Sequence, residues 1–142
     1  MTKISENLLR QLDALNHWLG DVYGEETNFS RLLIDSGFSE AEIEQIKQKY
    51  LHEFLLAVIN LMDCSTDQRK MIMVQHYGLI DGKPQGFYAL GNSAGVCGER
   101  IRQLVTRRLN VYRDPKRQET FQNDFASIGR QLLNNEGNNQ ST

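Results

Sequence analysis

Residues 76–117 are punctuated so closely that only short, abutting helices fit there. His76-Tyr77-Gly78-Leu79 closes one helical segment, with Gly78 supplying the left-handed stop. Asp81-Gly82-Lys83-Pro84 reads as a turn. A helix of about Gly86–Ala94 then has little more than two turns before Gly95 reverses the chain. The next helix is predicted over about Gly98–Tyr112, and Asp114-Pro115 ends it. Ile101, Leu104, Val105, Leu109 and Tyr112 recur at spacings of three and four. They should pack on Phe87, Leu90, Ala94 and Val96, with Gly91 letting the two helices cross closely. The expectation is a helix-turn-helix.

The remaining chain also reads as helix, so the fold class is all-α. Ile4, Leu8, Leu12, Leu15 and Leu19 follow the helical period, and Asp21–Glu26 is a polar break. Asn28–Ser36 is a short helix stopped at Gly37. Ser39 with Glu42 forms a capping box for one helix reaching about Leu61, with Ile43, Ile46, Tyr50, Phe54, Leu55, Val58 and Leu61 on its apolar face. Ser65 or Thr66 caps the helix that ends at Tyr77. A last helix, about Arg117–Leu133, sets Phe121, Phe125, Ile128 and Leu132 on one side, and the Asn-rich residues 134–142 are expected to be disordered. No segment alternates as a strand would.

Charge divides the chain. Residues 1–62 hold five basic and ten acidic residues, a balance of −5, whereas residues 63–142 hold eleven and eight, +3. Seven of the basic residues fall between Arg100 and Arg117. A local basic patch of this kind suits phosphate contact, although the overall pI is near 5.9. No run of eighteen apolar residues exists to cross a membrane, and no apolar leader opens the chain. Cys64 and Cys97 lack CxxC spacing and read as reduced thiols. His17, His52 and His76 are scattered, with no nucleophile–base pair, carboxylate pair or metal-ligand spacing. The expectation is therefore a protein that is no enzyme, with no catalytic residue, metal or cofactor.

If the apolar stripe of the helix at 98–112 is buried, Glu99, Arg102, Gln103 and Thr106 share the opposite face. These residue types suit base edges: Arg pairs with guanine, Gln with adenine, and Glu accepts from cytosine N4. Arg100 and Arg107 flank them. Arg108, Arg113, Lys116 and Arg117 suit phosphates, which fix register without reading sequence. A salt-bridged solvent face is the plain structural alternative.

The stretch from about Tyr50 to Phe125 resembles region four, the C-terminal DNA-binding domain, of bacterial primary-type RNA polymerase sigma factors. The residues that carry the resemblance are Tyr77-Gly78-Leu79, Asp81-Gly82-Lys83-Pro84, Leu90-Gly91, the run Gly95-Val96-Cys97-Gly98-Glu99-Arg100-Ile101-Arg102-Gln103-Leu104, and Leu109 with Arg113-Asp114-Pro115-Lys116-Arg117. They are collinear without gaps. The resemblance implies a cytoplasmic, nucleoid-associated bacterial protein that binds double-stranded minus-thirty-five-type DNA. By position, Glu99, Arg102 and Gln103 would read bases, while Arg100, Arg107, Arg108, Arg113, Lys116 and Arg117 would hold the backbone. The helices over residues 50–77 would face the β flap of RNA polymerase core. Residues 1–49 match no sigma region in this reading and are assigned to dimerisation or partner contact. Residues 50–133 form the region-four-like domain and 134–142 a tail.

The departures matter. Gly98 stands where the family usually has Arg, which should weaken or relax reading at one position by about 1–3 kcal/mol. Cys97 replaces the Ser or Thr that caps the recognition helix, at a cost of roughly 1 kcal/mol. It reads as a small cap-position residue, with a redox sensor as the alternative. Tyr88 and Ala89 replace an acidic pair. The family's regions two and three are not recognised, so the chain is not expected to act alone as a complete sigma factor. The competing expectation is a protein-interaction module, holding the β flap or a partner sigma fragment without reading DNA.

Overall fold

The computed structural model describes residues 5–62 and 67–140. Among these, every regular element is an α-helix: α1 Glu6–Tyr23, α2 Phe29–Asp35, α3 Glu40–Lys49, α4 Leu51–Leu61, α5 Asp67–Tyr77, α6 Phe87–Ala94, α7 Gly98–Tyr112 and α8 Pro115–Gln140. The all-α expectation is met. The Ser65 or Thr66 cap, together with Cys64, lies outside the described residues.

Local chemistry explains four of the helix starts, those of α1, α2, α3 and α8. Ser5 accepts from the Leu8 amide and Asn28 from the Arg31 amide. Ser39 and Glu42 exchange hydrogen bonds, the full capping box. Pro115 opens α8, where its missing N–H costs nothing. The helix also continues as far as Gln140, through residues 134–140 of the stretch expected to be disordered.

One expected helix is two. The segment from Ser39 to Leu61 breaks at Tyr50, whose φ of −128° and ψ of 12° leave the helical region. Backbone bonds still pass through the break, Tyr50 to Ile46 and Phe54 to Tyr50. The bend buries Leu51 in place of Tyr50, which is only half-buried. It lets Ile43 and Ile46 of α3 and Phe54, Leu55 and Val58 of α4 face one core.

That core spans the chain. Trp18 sits edge-on to Tyr112 at 5.2 Å and against Phe121 at 5.2 Å. Phe29, Phe54 and Phe125 form a triangle of edge-to-face rings 4.8–5.6 Å apart. Residues before and after position 50 therefore share one apolar cluster. On the far side, Gly129 of α8 lies against the Phe38 ring, which Arg130 covers at 3.8 Å while pairing with Glu42 at 2.7 Å.

Two glycines set the connections around α6. Gly78, at φ 75°, turns the chain so that its own amide and that of Leu79 both reach the Val74 carbonyl. Lys83 and Pro84 then pack directly over it; a Cβ there would lie 2.6 Å from the Pro84 nitrogen. Gly95, at φ 73°, sends its amide and that of Val96 to the Gly91 carbonyl. Among the described residues no helix is long and apolar enough to cross a membrane.

Candidate nucleic-acid interface

The α6–α7 pair is packed as its sequence requires. Ile101, Val105, Leu109 and Tyr112 of α7 and Leu90 of α6 are buried. Ala94 and Val96, expected in this packing, are exposed instead. Gly91 is the closest point of approach, since a Cβ on it would lie 2.6 Å from the Val96 carbonyl oxygen and 3.1 Å from the Gly98 nitrogen. Gly91→Ala should therefore push the link away and destabilise the protein by about 1–3 kcal/mol. Chemical denaturation would measure this, and an unchanged midpoint would contradict the close approach.

Cys97 occupies the cap position of α7 with the right backbone, φ −76° and ψ 157°, but its side chain makes no capping hydrogen bond. It is an exposed, free thiol. Cys97→Ser should restore the missing acceptor and stabilise by about 1 kcal/mol, visible as a raised melting temperature.

The face opposite the buried stripe carries a linked trio. Arg102 donates to Glu99 through Nε at 2.9 Å and through Nη2 at 2.6 Å. Gln103 also donates to Glu99. All three are exposed. The hydrogen bonds from Arg102 hold the Glu99 carboxyl below the usual carboxylate range. In water such a pair adds little stability, so its consequence is orientation. Glu99 presents the guanidinium as a planar fork, and any ligand for Arg102 must either displace Glu99 or accept beside it. Thr106 continues the same face, partly exposed.

The basic residues divide into two groups. Arg107 and Lys116 are exposed, and Arg100 is half-exposed. Arg117 is exposed at the start of α8, its amide bonded to Asp114. Arg108 instead lies on the core side of α7, its Nε buried and its guanidinium 6.0 Å from the Tyr112 ring centre. Arg113 is exposed but anchored: Nε donates to the Asp21 carbonyl at 2.9 Å and Nη1 to Asn110 at 3.2 Å.

Sequence reasoning missed that second cluster. Asp21 lies in what reads as a polar break, yet its carboxylate accepts from the buried Tyr77 hydroxyl at 2.6 Å, with His17 3.8 Å away. Burial and the Asp21 carboxylate push the Tyr77 hydroxyl well above its ordinary pKa. With the Arg113 bond, this ties α1 to the end of α5 and the end of α7. No local pattern could reveal it, because the partners are 56 and 92 residues apart. Among the described residues no cluster of His, Cys, Asp or Glu could hold a metal ion.

No protein-family profile matches the chain, and no solved structure matches it. The chain is similar to the RNA polymerase sigma-C factor of Nostoc sp. (strain PCC 7120), at 26% identity over 130 residues. The match covers 89% of this chain and 29% of the relative, so the chain spans under a third of that protein's length. Such coverage cannot fit within residues 50–142 alone. The likeness therefore reaches into residues 1–49, which the sequence reading left without a relative.

Proposed function

We propose that this chain is a DNA-binding transcription regulator that corresponds to region four of a sigma factor. In this reading α6 and α7 form a helix-turn-helix, and α7 enters the major groove of promoter-like, minus-thirty-five-type duplex. The observation that carries it is the exposed Glu99–Arg102–Gln103 face, standing opposite the buried stripe of α7. The likeness to a sigma factor supports it. Base reading falls to Arg102 and Gln103, with Glu99 both orienting Arg102 and accepting from cytosine. Arg100, Arg107, Lys116 and Arg117 hold the backbone. Arg108 and Arg113, both engaged within the protein, contribute less.

A mobility shift on promoter-like duplex at about 50 mM salt, where phosphate contacts are strongest, tests the proposal. Absence of any shift sinks it. Arg102→Ala should cut discrimination between duplexes about tenfold. Arg107→Ala should weaken all duplexes alike and reduce the salt slope by about 1.

A second reading has a specific observation behind it. Met71 on α5 and Ile80 after it are exposed and line one shallow depression with Val74 and Gln75. An apolar patch on this side suits a protein partner, the β flap of RNA polymerase core or a sigma fragment. Co-purification with polymerase that persists in Arg102→Ala would separate this contact from DNA reading.

A further inference from the structure

Tyr88 is the most exposed large apolar side chain among the described residues, at 81%. Its ring nevertheless lies beside Gly98, the first residue of α7. A Cβ on Gly98 would come within 2.9 Å of Tyr88 Cδ1 and 3.2 Å of Cε1 and Cγ. Real Cβ atoms essentially never approach that closely, so a side chain at 98 and the ring in this position exclude one another. Gly98 is buried although it opens α7 on the surface. Two departures that look separate in the sequence, the tyrosine in α6 and the glycine at the head of α7, are thus one packing unit.

The unit changes the chemistry at the head of α7. Val96 is 42% exposed and Cys97 is exposed beside it. The exposed Val96 and Cys97 thus directly precede Gly98, where the ring lies, and Glu99 of the polar trio directly follows it. In the major groove the base edges offer donors, acceptors and a single apolar group, the 5-methyl of thymine. The polar trio matches the first two kinds, and the ring matches the third.

We propose that Tyr88 and Gly98 together form a thymine-reading element, in which the glycine leaves room for the ring and the ring packs on a thymine methyl group. This rests on the proposal that α7 enters the major groove. It makes Tyr88 a specificity-determining residue outside the recognition helix.

The test uses the full chain and short synthetic duplexes enriched from a randomised pool by binding to it. Each thymine of the enriched sequence is replaced in turn by deoxyuridine, which removes only the methyl group. At one thymine the replacement should weaken binding about fourfold, the factor for one buried methyl. Tyr88→Ala should abolish that sensitivity, and Tyr88→Phe should keep it. Gly98→Arg should displace the ring and move the preference at that base pair from thymine toward guanine, with circular dichroism confirming that the helices persist. Equal sensitivity of the unmodified chain and Tyr88→Ala at every thymine overturns the inference and leaves DNA binding standing. Loss of the sensitivity in Tyr88→Phe also overturns it, by assigning the contact to the hydroxyl. Failure to bind any duplex overturns the proposed function, and this element with it.

Discussion

A chain that begins at Tyr50 is expected to lose cooperative unfolding, even though it keeps everything that reads as a DNA-binding domain. Helices α1–α3 contribute Trp18, Leu19, Phe29, Leu33 and Ile46, each at most 1% exposed. Burying each is worth about 2 kcal/mol, so together they supply roughly 10 kcal/mol. That equals the whole stability of a typical domain. Their loss would also bare one side of Phe54, Phe125 and Tyr112, whose rings pack on Phe29 and Trp18. Thermal melting followed at both far- and near-ultraviolet wavelengths measures the effect. A truncated chain with a sharp transition close to that of the full chain would show that residues 50–140 fold alone.

Phe125→Ala should cost about 3–5 kcal/mol, which for a chain of this length lowers the melting temperature by roughly 10–15 °C. Phe125 is fully buried and meets Phe54 at 4.8 Å, Phe29 at 5.6 Å and Phe121 at 5.9 Å. Its removal leaves a cavity bounded by α2, α4 and α8, where three rigid rings resist collapse. Phe125→Leu keeps much of the volume and should cost less than half as much. A loss below about 1 kcal/mol for the alanine variant would mean that the site closes over the gap. At temperatures where the variant is folded, DNA affinity should be unchanged, because Phe125 lies on α8, away from the exposed face of α7.

Much of the architecture was legible in order along the chain. The limits of α7, the left-handed stops at Gly78 and Gly95 and the Ser39–Glu42 box are each fixed by chemistry within a few residues. The trio of Glu99, Arg102 and Gln103 was legible for the same reason, since helical spacing alone puts it on one face. The break at Tyr50 was not, because the apolar pattern from Ile43 to Leu61 is compatible with one straight helix. Only the need to seat both halves on α8, with α4 also against α1, bends it. The fates of Arg108 and Arg113 were equally hidden. Sequence gives them a charge, whereas their partners, the Tyr112 ring and the Asp21 carbonyl, come from the way α7 packs.

By itself, then, the amino-acid sequence determined helix positions, turn chemistry and the residue types on the outer face of α7, all of which depend on neighbours within about one helical turn. The tertiary structure alone decided that residues on both sides of position 50 share a core, that Arg108 and Arg113 find partners within the protein, and that the Tyr88 ring occupies the space over Gly98. These depend on contacts between residues far apart in the chain. Excluded volume and burial settle such contacts only once the helices are packed together.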